Sequence, residues 1–151
     1  MRLNRTDDVM DDFYDKIREE FNMGEVDIRT YSPLTLAFIG DCVFDLVIRS
    51  LVVGAGNMQV NKLHHKKADI VKAPAQAKLI EAIMDELSED ETTVYRRGCN
   101  AHTVNKAKNA SFGDYHKATG LEALIGYLYL AHEQDRILKL IRSGLEKTGM
   151  M

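Results

Sequence analysis

The chain has 151 residues, 45% of them hydrophobic, and a formal net charge of −3, enough to bury a core of its own. No Pro/Gly/Ser-rich stretch divides it, so one domain over residues 1–151 is expected, with an acidic N-terminal helical extension over residues 1–30. The longest apolar run, residues 34–53, is interrupted by Gly40, Asp41, Asp45, Arg49 and Ser50, too polar for a membrane span, and the N-terminus is acidic rather than signal-like; a cytoplasmic protein without membrane attachment is expected.

Residues 6–22 carry Val9, Phe13, Ile17 and Phe21 at near-helical spacing, with acids crowding the first turn as the helix dipole favours. Ser32 and Pro33 supply an N-cap and a first helical residue for a helix running to about Val53, closed by Gly54 and Gly56. Residues 59–72 and 74–87 read as two helices separated at Pro74. Ser88 and Glu91 have capping-box spacing for a short helix through Tyr95 to Arg97, closed by Gly98. Residues 99–117, punctuated by Asn100, Asn105, Asn109, Ser111 and Gly113, read as a long loop, and a loop of that length in a compact domain points to function. A helix over about 118–132 follows, then an amphipathic one with Ile137, Leu140, Ile141 and Leu145. No stretch alternates with period two, so the fold class is all-α. Cys42 and Cys99 form no CxxC pair, which argues against zinc and disulfide frameworks, and Cys42 within the apolar helix reads as a small buried thiol.

Charge is unevenly distributed. Residues 1–31 hold nine acids against five bases, whereas residues 62–78 and 96–117 each hold five bases against one acid. Basic segments on an acidic chain are candidate polyanion sites, or else solvated faces. The donors in them are Arg96, Arg97, Asn100, His102, Lys106 and Lys108, and less distinctively Lys66 and Lys67 beside His64 and His65.

Two acids stand where the chain is most hydrophobic: Asp41 in LAFIGDCVFDLVIRSLVV and Glu122 in ATGLEALIGYLYLA. A carboxylate on a largely buried helix needs a hydrogen bond, a counter-charge or a cation. Asp45 precedes Arg49 by one turn in the favourable orientation, so an ion pair accounts for it. Glu122 has two accounts: with Thr119 it fits a capping box, and with Asp41 it fits a pair of hard oxygen ligands for Mg²⁺. The five histidines show neither zinc-ligand spacing nor a neighbouring nucleophile.

LAFIGDCVFDLVIR resembles the helix motif of ribonuclease III, and ATGLEALIGYLYL resembles its second catalytic motif, with the EALIG core intact at residues 122–126. The segments RRGCNA (96–101) and APAQAKLI (73–80) are similar to the short Mini-III ribonucleases, which lack a double-stranded-RNA-binding domain. The resemblance spans roughly residues 31–132. It implies a helical endonuclease domain that forms a homodimer, with Asp41 and Glu122 holding Mg²⁺ (or Mn²⁺ in its place) and Phe38 at the dimer interface. Alignment with the ribonuclease III motifs leaves Ala37 and Thr119 at two positions where that enzyme has carboxylates, a reduction shared with the Mini-III subgroup. The implied activity is hydrolysis of double-stranded RNA to 5′-phosphate and 3′-hydroxyl ends, in maturation of the 23S ribosomal RNA precursor. Duplex RNA is read through phosphates and 2′-hydroxyls, which the basic loop suits. The alternatives are a non-catalytic helical RNA-binding or ribosome-associated protein of the same fold, and a plain helical dimerisation domain.

Overall fold

The computed structural model describes residues 12–101 and 112–151; of Phe112 only the backbone is described. Among them are seven α-helices and no strand: α1 (Phe13–Glu20), α2 (Pro33–Gly54), α3 (Val60–Val71), α4 (Ala73–Ile83), α5 (Glu89–Cys99), α6 (Phe112–Leu130) and α7 (Gln134–Thr148). Short 3₁₀ turns at Ile28–Thr30 and Met84–Glu86 join the neighbouring helices. The all-α expectation holds, and no helix among the described residues is long and apolar enough to cross a membrane.

The caps work as their chemistry requires. Ser32 Oγ accepts from the Thr35 N–H (3.2 Å) ahead of Pro33. At α5 the box is complete: Ser88 N donates to Glu91 Oε1 (2.8 Å) and Glu91 N to Ser88 Oγ (3.1 Å). Glu91 is buried, and Arg136 from α7 grips it through Nε to Oε2 and Nη2 to Oε1, both 2.9 Å, while Nη2 also donates to the Glu86 carbonyl. The guanidinium holds the Glu91 carboxyl below its ordinary pKa. One cap thus also fastens α7 to α5.

Helix α6 is the centre of the fold, packing against α2, α4, α5 and α7. From Ala118 to Leu128 it is apolar but for Thr119 and Glu122, as a helix covered on most sides must be. Leu121 and Leu124 are fully buried with Phe44 and Ile48 of α2 and Leu79, Ile80 and Ile83 of α4. Such close packing needs small residues where backbones meet: a Cβ on Gly98 of α5 would lie 2.8 Å from the Ala123 Cβ and the Gly120 Cα.

Four expectations are corrected. Gly98 does not end α5; it is buried inside that helix, which runs to Cys99 with Asn100 as its C-cap, and its missing side chain serves the contact with α6. The segment expected as a loop to residue 117 is helical from Phe112, where tertiary contacts override its weak periodicity: His116 Nδ1 lies 2.7 Å from the Cys99 carbonyl, and Lys117 pairs with Glu81 of α4. Residues 102–111, and with them His102, Lys106 and Lys108, lie outside the described residues. Cys42 is exposed, because Leu34, Phe38, Cys42 and Leu46 recur every fourth residue on a face of α2 that nothing in the described chain covers. Finally, α1 begins at Phe13, with Asp12 as N-cap, and stops at Glu20; residues 6–11 of the expected helix lie outside the described residues. It docks on the far end of α6: Tyr14 meets Tyr129 at 4.8 Å between ring centres, and Asp15 pairs with His132 (2.8 Å).

Candidate active site

Helices α2 and α6 cross with their backbones in contact. A Cβ on Gly40 would collide with the Glu122 carbonyl, and one on Gly126 with the Leu36 carbonyl, so two glycines set the depth of the crossing. Asp41 follows Gly40 and Glu122 lies one turn before Gly126. The contact therefore brings the two acids to one groove of about 710 Å³, which Ala37, Phe38, Asp45, Lys67, Gln76, Tyr115 and Thr119 also line.

In that groove the Glu122 carboxyl is pushed up to about 8. Burial is the largest cause; a hydrogen bond and charge from the Asp41 carboxyl add to it, and the Gln76 amide opposes it. Two carboxyls thus sit close enough to share a proton in the absence of a cation. The capping-box account of Glu122 fails, because α6 starts at Phe112 and Thr119 is well inside it, its hydroxyl donating to the Tyr115 carbonyl (3.0 Å).

The donor set fits a small divalent cation. Asp41 and Glu122 offer hard oxygens from two rigid helices, and the open side of the groove leaves room for the waters that Mg²⁺ retains. A dipositive ion there would offset both the burial and the Asp41 charge that raise Glu122. Beside them Gln76 is fixed by its Nε2 donating to the Val71 carbonyl (2.9 Å), while its buried Oε1 has no partner among the described residues. Another acidic group, Asp12, Asp15 and His132, has a structural explanation: Asp12 caps α1 and Asp15 pairs with His132.

The remaining expected residues divide. Asp45 pairs with Arg49 as its spacing predicts (2.7 Å), and also with Lys67 of α3 (3.0 Å), which enters the groove. Lys66, Arg96, Arg97 and Asn100 are exposed and do not line the groove, and Phe38 at its rim is 80% exposed. Gln76, within the APAQAKLI segment, and Tyr115 also line the groove; neither carries a local signal of that place, since only the folding of α4 and α6 against α2 makes them neighbours of Asp41 and Glu122.

The Ribonuclease III domain family matches residues 34–133, a span that contains both carboxylates and the helices that carry them. The chain belongs to the ribonuclease III family. Among its relatives in that family, "Mini-ribonuclease 3" of Clostridium tetani is 42% identical over 135 residues, covering 87% of this chain and 88% of the relative. "Mini-ribonuclease 3" of a Thermoanaerobacter species is 43% identical over 119 residues, covering 79% and 84%. A crystal structure of a protein from Fusobacterium nucleatum superposes with a TM-score of 0.72 at 32% identity, covering 80% of this chain and 96% of that one. The ribonuclease III match begins after α1 and ends before α7, so both of those helices lie outside it.

Proposed function

We infer that this endoribonuclease of the ribonuclease III family is a single-domain, Mg²⁺-dependent enzyme that hydrolyses double-stranded RNA, with Mn²⁺ able to substitute. The observation that carries the reading is the pairing of Asp41 and Glu122 across the α2–α6 crossing, inside the span that matches the family. A bound Mg²⁺ would lower the pKa of a coordinated water and offset charge on the phosphate oxygens. Asp41 and Glu122 would hold it, each from a helix whose backbone is locked by glycine contact, so that the reacting phosphate is fixed rather than searched for. The rim of the groove is open, as a duplex substrate requires, and hydrolysis leaves 5′-phosphate and 3′-hydroxyl ends. Arg96, Arg97, Asn100 and Lys66, with His102, Lys106 and Lys108, would grip flanking phosphates. Affinity should then fall by roughly 0.7–0.9 log units per log unit of salt for each phosphate that a lysine or arginine neutralises.

The test is cleavage of a long RNA duplex and of its separated strands at low salt, with Mg²⁺, with Mn²⁺ and with chelator, followed by end-group analysis. Cutting of the duplex alone, abolished by chelator, is expected. Binding without cutting in either metal would instead support the non-catalytic RNA-binding protein. A stem of the 23S ribosomal RNA precursor, processed in the cytoplasm, is the natural substrate that the Mini-III likeness favours; it should be cut faster than an unrelated duplex of equal length, and equal rates would argue against it.

The protein would act as a homodimer. Leu34, Phe38, Cys42 and Leu46 form an exposed, largely apolar stripe beside the groove, and an apolar face of this kind calls for a partner. Phe38→Glu should convert the dimer to a monomer in sedimentation analysis; a protein that sediments as a monomer before mutation would contradict this.

A further inference from the structure

The Asp45 carboxylate is shared between two cations. Its Oδ2 accepts from Arg49 Nε at 2.7 Å on the same helix, and its Oδ1 meets Lys67 Nζ at 3.0 Å from α3. The Lys67 side chain is 22% exposed and Asp45's 26%, so this is not a pair of chains waving in solvent. Asp45 stands one turn beyond Asp41 on the same face of α2, an axial step of about 6 Å. Asp41, Asp45, Lys67 and Glu122 all line one groove, whereas Arg49 does not. The bridge therefore holds a lysine ammonium against an acid one helical turn from Asp41, in the groove that the paired carboxylates line.

The charges favour a use for it. Asp41, Glu122 and Asp45 bring three negative charges, and Lys67 and Arg49 two positive ones. One divalent cation turns that balance to +1, which a single phosphodiester neutralises. Two carboxylates are matched by one such ion, which leaves a place at the phosphate for a further positive charge, and Lys67 is the cation among the described groove-lining residues. An ammonium has three hydrogens, and the ion pair with Asp45 leaves it donors to offer phosphate oxygens.

We propose that Lys67 is a catalytic residue whose ammonium binds a non-bridging oxygen of the scissile phosphate, with Asp45 as the positioning residue that aims it. This rests on the reading of Asp41 and Glu122 as a phosphodiester-cleaving pair. Lys67 transfers no proton: it remains an ammonium while the oxygen of water bonds to phosphorus, losing its proton to solvent, and the P–O3′ bond breaks, the 3′-oxygen taking a proton from solvent; it stabilises the charge that builds on the non-bridging oxygen in the transition state. A lysine that merely joined α3 to α2 would affect stability, and one that gripped a flanking phosphate would affect affinity.

The experiment measures single-turnover cleavage at saturating duplex for wild type, Lys67→Met, Lys67→Arg and Asp45→Asn, each with thermal unfolding. Duplex affinity and its salt dependence are measured separately, with every variant placed in a Glu122→Gln background. Lys67→Met keeps the aliphatic stem and leaves the Asp45–Arg49 pair in place. It should lower the cleavage rate about 10²–10³-fold, with affinity changed by less than about 3-fold. Lys67→Arg should recover part of the rate, and Asp45→Asn should lose about 10-fold by loosening the ammonium. Wild-type cutting by Lys67→Met, or a deficit confined to affinity with a shallower salt slope, would overturn the proposal while leaving the function reading intact. A lower unfolding temperature in Lys67→Met that Lys67→Arg restores without restoring rate would overturn it in favour of a structural bridge. Absence of cutting by the wild type would overturn the function reading and this proposal together.

Discussion

Asp41→Asn and Glu122→Gln are each expected to lower duplex cleavage by at least about 10²–10³-fold while leaving the helices folded. Neither substitution changes side-chain volume appreciably, and neither touches the glycine contacts that set the α2–α6 crossing. What each removes is half of a two-carboxylate set, and with it the negative charge that makes a divalent cation preferable to water in the groove. Glu122→Gln carries a second signature. The folded chain holds the Glu122 proton up to about 8, against 4.5 ordinarily, so between those values the metal-free folded state binds more protons than the unfolded one. Stability must then fall as pH rises through that window, and be regained on adding Mg²⁺. Unfolding temperatures of metal-free protein across pH 5–8 should slope downward for wild type and less so for Glu122→Gln. Cleavage by either variant at the wild-type rate would remove the pair from the mechanism.

The second large effect is structural. Gly126→Ala places a Cβ onto the Leu36 carbonyl, and a backbone carbonyl in mid-helix cannot swing aside as a side-chain tip would. The helices must part, opening the core around Leu121 and Phe44 and moving Asp41 away from Glu122. A loss of about 3 kcal/mol or more is expected, at the upper end of overpacking costs, together with loss of activity beyond what the unfolded fraction explains. Gly54→Ala is the matched control: it lies at the end of the same α2, meets nothing within 4 Å, and should be neutral or mildly stabilising. Chemical denaturation of the three proteins measures the difference, and a Gly126→Ala variant as stable as Gly54→Ala would contradict the packing account.

The elements that local chemistry specifies were legible in the sequence. Ser32–Pro33 and the Ser88–Glu91 box announce α2 and α5 because a cap is a short-range hydrogen-bond pattern, and the Ile137–Leu145 stripe announces α7 because an amphipathic face is periodic. What failed was whatever depends on the neighbour. Gly98 looks like a stop signal until Gly120 and Ala123 are seen to need its missing side chain. Residues 112–117 look like a loop until His116 and Lys117 find Cys99 and Glu81. Cys42 looks buried because its helix is apolar on several faces, and one of those faces has no cover within the described chain. At the site, Asp41 and Glu122 stood out as carboxylates amid apolar residues; the burial that makes such a group costly is found at Glu122, whereas Asp41 is exposed at the groove, and Asp45 pairs with Arg49 as spacing implies. Lys67 was visible only as one basic residue in a basic helix. Its bridge to Asp45 and its entry into the groove arise from the docking of α3 on α2, which no local pattern encodes.

The most direct test of the central claim is the location of a divalent cation. Crystals soaked in Mn²⁺, with data collected for anomalous scattering, should show a peak beside the carboxylates of Asp41 and Glu122, and none in crystals of Asp41→Asn. A strong peak at Asp12, Asp15 and His132 with nothing between Asp41 and Glu122 would contradict the account.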